Sequence, residues 1–592
     1  MLKKIAILLL VVLSGLVAAK VLNLPIPFLN PNPGADSALS KSDASDSNKE
    51  SNILNFVPSD SVVYFKSDTK LMHAAMKASN VNAMFENLKE EVGSMSESEE
   101  KIMDSVITTF LGVFSEQGAI EFGFATDGEL AFYMDGLFPV FKISVADQIK
   151  VQAKIDALLT QFDQGVDKTE LNGQLIQTLN IEDEAKVAFS VTDQYLTVTF
   201  AAAEVDSSSI AALVTNQFND QSVIATGSFS ADKLKYGFND SFAMVVNFEQ
   251  IASAIVNPQS NKLGQQLVQY VPESQMSFAQ VQSAECQADI MSVASAMPRL
   301  IAGYSMLNFA ENRIESKSSV VLEILNPEVT NILKMFVGHI SSNAFSQDSL
   351  LSVGAGVDVS NLASALDQLT QLIQTTEFTC MPLAMGKMFL PEVPSELAFF
   401  ATMAGSVKGL SASIIDVDVD FSQGMPALKT LDAIVTVSTD DAQSLALMAA
   451  GNMFVSFDPL NGDGTPSQLQ SMFLPPEIEL FAAIKNNFLT VYSGDQGKKV
   501  ANSLVNETLE PNAFLSVAIN LGKLWAKEEL LQNAIAMSGG MVCDDPSVSE
   551  AVEMMTKNHG SESMQFTIND FGIVISDEGN LITSDSGLTI CP

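Results

Sequence analysis

The stretches VAFSVTDQYLTV (residues 187–198) and LFAAIKNNFLTV (residues 480–491) are two copies of one short pattern. Each copy is an apolar run, two polar residues and a second apolar run. The polar residues are Asp193-Gln194 in the first copy and Asn486-Asn487 in the second. Because Asp and Asn tolerate the positive φ that a two-residue type I′ turn requires, the pattern predicts two equivalent β-hairpins.

The sequence on either side of the two hairpins repeats in the same order. Upstream, VFKISVAD (residues 140–147) and AIVTVSTD (residues 433–440) are predicted strands that end in Ser and Asp and precede a helical pattern. Downstream, DSFAMVVNFEQIASA (residues 240–254) matches AFLSVAINLGKLWAK (residues 513–527), a strand, an Asn and a helix. Asp and Asn at these points predict helix N-caps. The shared order predicts an internal duplication.

These patterns predict the fold class and the domain organisation. Hairpins indicate antiparallel pairing, and helices must cover a sheet face, so we expect an internally duplicated α+β fold of antiparallel sheets with β-hairpins and strand–cap–helix units. The predicted segments are a signal peptide or N-terminal anchor (1–19), a flexible linker (20–52), a first α+β module (53–262), a middle strand and helix segment (263–385), a second module that repeats the first (386–540) and a disulfide-closed tail (541–592).

The N-terminus has the pattern of an export signal. Lys3 and Lys4 precede the apolar run Ile5–Ala19, which ends in small residues typical of a cleavage site. The run is shorter than the roughly 20 residues that span a bilayer, but apolar residues continue after it, so cleavage and retention as an anchor both stay open. In either case we expect the rest of the chain in the periplasm or on the extracellular side, soluble or tethered. Contact with a membrane is expected only through this segment.

The charge balance excludes one class of partner. The chain has 31 Lys and Arg against 70 Asp and Glu, a net charge of −39. Nucleic-acid binding depends on Lys and Arg side chains that neutralise phosphates. A chain this acidic is repelled by the negatively charged phosphates. We therefore expect no nucleic-acid partner.

The four cysteines predict disulfides. An even number of cysteines in an exported chain usually forms bonds, because the compartment oxidises accessible pairs. Cys286 and Cys380 both lie in the predicted middle segment, whereas Cys543 and Cys591 bracket the tail. The sequence therefore predicts the bonds Cys286–Cys380 and Cys543–Cys591.

Two acidic stretches are candidate metal sites. In IIDVDVDF, the residues Asp416, Asp418 and Asp420 alternate, so they share one face of a strand, where they could hold Ca²⁺ or Mg²⁺ or form a solvated acidic face.

The second stretch, DPLNGDGTPSQLQ, resembles a calcium-binding loop. Asp458, Asn461 and Asp463 are its candidate ligands, but Asp458 is one residue out of register. Gln470 stands where such loops have a bidentate Glu. A tight turn around the Asp-Gly pair is the alternative interpretation.

No arrangement of residues in the sequence indicates catalysis. The three histidines, His73, His339 and His559, have no second His or Cys at a metal-binding spacing. We expect a non-catalytic exported envelope protein whose duplicated modules bind a protein, a polymer or an apolar ligand, without a cofactor. Two alternatives stay open: a periplasmic lipid or peptide carrier with a cavity under each sheet, and a hydrolase whose site is built from sequence-distant residues.

The stretch FVPSDSVVYFKSD (Phe56–Asp68) follows the apolar segment and the linker and begins the predicted first strand. In this arrangement the chain resembles a family of bacterial exported proteins known only as a domain of unknown function. The resemblance implies export and duplicated α+β modules, and it brings no catalytic residue.

Overall fold

The structure is a computed structural model. It describes residues 53–77, 115–160, 166–181, 185–215, 220–271, 278–310, 313–387, 404–420, 427–450, 455–456, 460–471, 478–527 and 558–583. The predicted export segment (1–19) and linker (20–52) lie outside the described residues, as do Cys543 and Cys591. The chain forms two compact units, Met1–Leu307 and Asn308–Pro592.

The first unit combines an antiparallel sheet with eight described helices. Its strands are β1 (Val63–Asp68), β2 (Glu129–Asp135), β3 (Phe138–Ser144), β4 (Val166–Leu171), β5 (Gln174–Ile181), β6 (Ala185–Val191), β7 (Tyr195–Ala202), β8 (Phe242–Asn247) and β9 (Arg299–Ala310). Its helices are α1 (Thr69–Lys77), α2 (Glu116–Phe122), α3 (Gln148–Leu159), α4 (Ser207–Val214), α5 (Ser228–Tyr236), α6 (Phe248–Val256), α7 (Lys262–Tyr270) and α8 (Ala284–Ala296).

The second unit has the same two kinds of element. Its strands are β10 (Arg313–Glu323), β11 (Leu351–Ala355), β12 (Val407–Asp420), β13 (Ala427–Thr439), β14 (Val455–Ser456), β15 (Ser467–Ser471), β16 (Leu480–Lys485), β17 (Phe488–Ser493), β18 (Leu515–Asn520), β19 (Asn558–Asn569) and β20 (Gly572–Thr583). Its helices are α9 (Pro327–Lys334), α10 (Val359–Thr375), α11 (Met381–Lys387), α12 (Ala442–Ala450), α13 (Gly494–Ser503) and α14 (Leu521–Trp525).

The strand order is the same in both units. The first sheet runs β4-β5-β6-β7-β3-β2-β1-β8-β9. The second runs β14-β15-β16-β17-β13-β12-β11-β18-β19, followed by β20 and β10. All of these pairings are antiparallel, so the predicted α+β class and antiparallel sheets are confirmed.

The predicted helix caps form where a strand leads into a helix. The Asp147 side chain accepts the Lys150 N–H at 3.1 Å, and the Asn247 side chain accepts the Gln250 N–H at 3.0 Å. A carboxylate or amide oxygen at this position satisfies one of the N–H groups that a helix leaves free at its start. In the second unit the cap of α12 is Asp441, one residue later than the end of the predicted strand.

The twin hairpins have the predicted two-residue turns. Val191 pairs with Leu196 and the Thr192 N–H bonds the Tyr195 carbonyl at 2.9 Å, which leaves Asp193-Gln194 as an exposed turn. In the second hairpin Lys485 pairs with Phe488. Of the four turn residues only Asn486 has a positive φ, 56°, so the predicted type I′ geometry is wrong for both turns.

The predicted disulfide Cys286–Cys380 is present. Cys286 lies in α8. Both side chains are buried, at 4% and 0% exposure. The bond Cys543–Cys591 stays a prediction.

The helices in the described part of the chain are all too short, or too polar, to span a membrane.

Candidate functional site

Twelve residues of the second unit form a continuous apolar face on four adjacent strands. In antiparallel sheets, directly paired residues point to the same side, so the register fixes which side chains share a face. We call this face the apolar strip; it consists of Leu351, Val353 and Ala355 on β11, Leu410, Ala412 and Ile414 on β12, Ala433, Val435 and Val437 on β13, and Leu515, Val517 and Ile519 on β18.

The apolar strip is open to solvent. None of its twelve side chains is buried, and Leu410, Val353 and Leu515 are 51%, 44% and 43% exposed. Aliphatic residues on a sheet normally face the core, because burying them is the main favourable term in folding. A contiguous exposed group of them marks an interaction surface.

The opposite face of the same four strands is polar and buried. We call it the hydroxyl face; it consists of Ser352, Ser411, Ser413, Thr436, Ser438 and Ser516, none more than 2% exposed. Hydrophobic patterning is therefore inverted here, with hydroxyl groups inside and aliphatic side chains outside. Such departures from the usual pattern concentrate at functional sites.

Hydrogen bonds explain how the hydroxyl face can be buried. The Asn343 side-chain amide donates to the Ser413 hydroxyl at 2.8 Å, and the Ser352 hydroxyl donates to the same oxygen at 2.8 Å. The hydroxyls of Ser341 and Ser411 lie 2.5 Å apart. Asn343 belongs to the short 3-10 turn Ser342–Phe345, which covers this face, and Ser341 directly precedes that turn. A buried polar group costs little once it has a partner, so these bonds offset the cost of burying Ser352, Ser411 and Ser413. The buried hydroxyls of Thr436 and Ser516 have no partner among the described residues.

The segment that leads into the 3-10 turn and the neighbouring strand β18 both lie very close to Gly354 on β11. A Cβ atom at this glycine would lie 2.4 Å from Ile340 Cγ2 and 2.6 Å from Ser516 Oγ. Both distances are far below van der Waals contact. The hydroxyl face therefore needs a residue without a side chain at this point.

Two carboxyl groups lie beside the apolar strip on the same side of the sheet. Ile519 pairs with Glu562, and Val517 pairs with Met564, which in turn pairs with Asp577. Burial raises the pKa of both carboxyl groups, and the neighbouring Asp577 raises the pKa of Glu562 further. Two like charges this close hold one proton between them, so the pair carries about one negative charge near neutral pH.

The equivalent face of the first unit is closed. Counted from the shared strand order, Phe65, Phe132, Phe141 and Phe242 take the places of Val353, Ala412, Val435 and Leu515. Phe65 and Phe132 are each 7% exposed, and their rings stack with centroids 5.8 Å apart. Phe141 and Phe242 are half-buried, so the first unit has large and at least partly buried rings at the positions where the second unit has smaller aliphatic side chains.

The first unit instead has a buried cluster of charged residues on its other face. The Lys66 ammonium lies 2.7 Å from Asp68 and 3.3 Å from Glu129, and it also donates to the Asp240 carbonyl. Burial raises the pKa of the Asp68 carboxyl and outweighs the attraction of Lys66. The Ile53 N–H donates to Glu129 at 3.3 Å, which connects the 3-10 turn Ile53–Phe56 to the cluster.

A second lysine, Lys142, lies on the same buried face. Its ammonium donates to the Thr197 hydroxyl at 2.7 Å and lies 4.3 Å from the centre of the Phe56 ring. Burial lowers the pKa of Lys142 to about 7. The side chains of Lys66 and Lys142 are at most 1% exposed, so a substrate has no path to their nitrogens. We interpret both lysines as structural.

His339 is buried between two acceptors. Its Nε2 lies 2.9 Å from a carboxylate oxygen of Glu507, and its Nδ1 lies 2.7 Å from the Glu510 carbonyl. Burial raises the pKa of Glu507, but hydrogen bonds from His339 and Ser342 outweigh it and hold the pKa below its ordinary value. Because both ring nitrogens are engaged, neither is available to act on a substrate.

The candidate metal ligands on β12 are engaged by lysines. Asp416 lies 2.8 Å from the Lys527 ammonium, and Asp418 lies 3.6 Å from that of Lys429. Asp420 is exposed at the end of the strand. Across the described ranges, no three His, Cys, Asp or Glu side chains come together in a way that could hold a metal ion.

The proposed calcium loop is described only in part. Asp458 lies outside the described residues, and Asn461 is exposed. The Asp463 side chain accepts the Thr465 N–H at 2.9 Å, and Gly464 follows with a φ of 83°. This geometry is that of a tight turn, and the Thr465 N–H lowers the pKa of Asp463. Metal binding by either acidic stretch stays a prediction.

The sequence contains a signal for the apolar strip in the alternation of its strands. In β11, β12 and β18, Ser residues alternate with Leu, Val, Ala or Ile, as in LSVGA at Leu351–Ala355. Period-two alternation predicts a strand with one polar and one apolar face. It does not state which face is outside, and the usual assignment is the wrong one here.

No known protein family, no curated protein and no solved structure matches this chain.

Proposed function

We propose that this is an exported binding protein without catalytic function, and that its second unit binds an apolar partner on the apolar strip. The observation that carries the proposal is a group of twelve adjacent apolar positions, seven exposed and five half-buried, over a buried hydroxyl face. Exposing this surface to water costs free energy, and a partner that covers it recovers that cost.

We further propose that the two units arose by internal duplication, with β1–β10 corresponding to β11–β20. Equivalent hydrogen bonds support this. The Asn247 N–H bonds the Val62 carbonyl at 2.8 Å, and the Asn520 N–H bonds the Leu350 carbonyl at 3.1 Å. Both bonds join the end of an equivalent strand to the residue before β1 or β11.

A second pair of bonds supports the same correspondence at the twin hairpins. The Val145 N–H bonds the Gln194 carbonyl at 2.8 Å, and the Thr439 N–H bonds the Asn487 carbonyl at 2.9 Å. In each case a residue at the end of β3 or β13 bonds the second turn residue. Under this proposal the second copy begins before β11, earlier than residue 386.

The carrier alternative requires a cavity under each sheet. The first unit is poorly suited to this, because the positions equivalent to the apolar strip are filled by buried side chains such as Phe65 and Phe132. The proposal therefore assigns partner binding to the second unit alone.

Export is supported by the N-terminal pattern at Lys3–Ala19 and by the disulfide Cys286–Cys380, a bond typical of oxidising compartments. A reporter that is active only in the periplasm, fused to the C-terminus, should be active. Intact fusion protein without reporter activity would contradict export.

An apolar fluorescent probe tests the binding proposal. N-phenyl-1-naphthylamine should bind the protein and increase in fluorescence, and Val435→Glu should remove most of that signal. The control is Ile149→Glu, which adds the same charge at an 82% exposed position of the first unit. Both variants should keep their melting temperature within a few degrees, because exposed substitutions usually change stability by about 0.5 kcal/mol or less. Equal probe binding by both variants would contradict the proposal.

A further inference from the structure

We infer that the partner covering the apolar strip is a basic amphipathic helix of another protein. This inference rests on the proposed binding function and names the class of partner. It is argued from the shape of the strip, from the carboxyl pair beside it and from the charge of the chain.

The dimensions of the apolar strip suit one helix. Its four strands extend roughly 14 Å across the sheet at about 4.8 Å per strand, and its three positions per strand extend about 13 Å. An α-helix with its side chains is about 10–12 Å wide, so one helix lying on the strip contacts all four strands. A sheet face is stably covered by a helix or another sheet, and these two layers are the available solutions.

The strip supplies the contacts for an apolar helix face and no others. The backbone N–H and C=O groups of these strands are engaged in the sheet pairings β18–β11–β12–β13. The apolar strip therefore offers a partner no free backbone hydrogen-bonding group. A partner must therefore present side chains that need no polar contact, at the i, i+3 and i+4 spacing of an amphipathic helix.

The carboxyl pair favours a cationic residue at one edge of the helix. Glu562 and Asp577 lie on the same side of the sheet as the strip, one and two strands beyond β18. A Lys or Arg next to the apolar face of the partner would neutralise the pair. The net charge of −39 steers basic partners towards the protein and repels acidic ones.

The same charge opposes a second copy of this chain as the occupant. Two copies would bring together two surfaces of equal sign, and each carboxyl pair would face a chain that is itself strongly acidic. Size-exclusion chromatography with light scattering should therefore show a monomer. A dimer that Val435→Glu dissociates would overturn the inference.

Three designed peptides of about 18 residues, five helical turns, test the inference. The first places Leu on one helical face and Lys on the other. The second replaces every Lys with Glu, and the third keeps the Leu/Lys composition but distributes Leu around the helix. Calorimetric titration should show binding of the first peptide only, and added salt should weaken it because the attraction is partly electrostatic.

The carboxyl pair is tested with matched variants. Glu562→Gln combined with Asp577→Asn should weaken binding of the Leu/Lys peptide at least about tenfold. The control is Glu121→Gln combined with Asp127→Asn, which removes two charges at exposed positions of the first unit, more than the one charge that the carboxyl pair carries near neutral pH. Equal weakening by both pairs would show that only the overall charge matters, and would overturn the role of the carboxyl pair.

The outcomes separate this inference from the proposed function. Suppose that the fluorescent probe binds, that Val435→Glu abolishes probe binding, and that the Leu/Lys peptide does not bind. The strip then binds apolar ligands, and the inference that its partner is a helix is wrong. The inference of a helical partner is also wrong if decylamine, a simple cationic amphiphile, displaces the probe and the Leu/Lys peptide does not. If neither probe nor peptide binds the wild-type protein, both the inference and the proposed function fail.

Discussion

The apolar strip of the second unit and the equivalent face of the first unit lie at the same place in two sheets of the same strand order, but they are used differently. In the first unit, Phe65 and Phe132 are buried and stack on each other. In the second, Val353 and Ala412 take their places, and neither is buried. The comparison shows that the same strand order can present a buried aromatic face in one unit and an open aliphatic face in the other.

The opposite faces differ in a complementary way. The first unit buries Lys66 and Lys142, whereas the equivalent positions of the second unit are Gly354 and Thr436. Hydroxyl groups and glycine let the 3-10 turn of the second unit lie close to the sheet. The second unit therefore has a polar interior that is satisfied by hydrogen bonds in part, and its aliphatic side chains lie on the outer face.

The largest expected effect is a difference in stability between variants at Phe65 in the first unit and at Val353, the equivalent position in the second. Phe65→Ala should lower the free energy of unfolding by about 3–5 kcal/mol, because it removes a buried ring and leaves a cavity. Val353→Ala should change it by about 0.5 kcal/mol, because the side chain is already exposed. Denaturant unfolding followed by circular dichroism measures both, and fluorescence of the single tryptophan, Trp525, follows the second unit. Similar costs for the two variants would mean that the strip is covered.

The next largest effect concerns the buried faces and depends on pH. The pKa of Lys142 is lowered to about 7, whereas in the unfolded chain it stays near 10.4. Between these values the unfolded state binds the extra proton, so stability rises with pH from about 7 to about 10. Lys142→Met should therefore stabilise the protein by about 1–4 kcal/mol at pH 6, and the gain should fall towards zero by about pH 10.

The matched variant is Thr436→Val at the equivalent position of the second unit. The Thr436 hydroxyl is buried and has no hydrogen-bond partner among the described residues, so its removal should stabilise the protein by about 1 kcal/mol. This gain should not change with pH, because a hydroxyl does not titrate in this range. Unfolding measured from pH 6 to 10 tests the pair, and a flat pH profile for Lys142→Met would contradict the interpretation of Lys142 as a buried base.

Local features of the fold were predictable from the sequence, whereas the binding face was not. The caps at Asp147, Asn247 and Asn520 and the twin hairpins follow from residue types that satisfy free N–H groups or fit tight turns. The Cys286–Cys380 bond followed from cysteine number and the predicted compartment.

The inverted sheet face has a different origin. Alternation of Ser with Leu and Val predicts two faces, but which face is inside depends on what packs against the sheet. At Ser413 the packing partner is Asn343 of the 3-10 turn, 70 residues earlier in the chain. The carboxyl pair is equally hidden, because Glu562 and Asp577 meet only after β19 and β20 pair. Contacts set by tertiary pairing leave no local pattern.

The smallest expected effect distinguishes the twin hairpins. Asn486 has a φ of 56°, a conformation that costs a residue with a Cβ atom and no compensating polar group about 1–2 kcal/mol, whereas Asp193 has a negative φ. Asn486→Ala should therefore destabilise the second unit by about 1 kcal/mol, and Asn486→Gly should be neutral or slightly stabilising. Asp193→Ala should be neutral, and Asp193→Gly should cost a few tenths of a kcal/mol through the added freedom of the unfolded chain. Melting temperatures of the four variants decide the matter: if Ala costs the same at both positions, the two turns have the same backbone geometry and differ only in their residues.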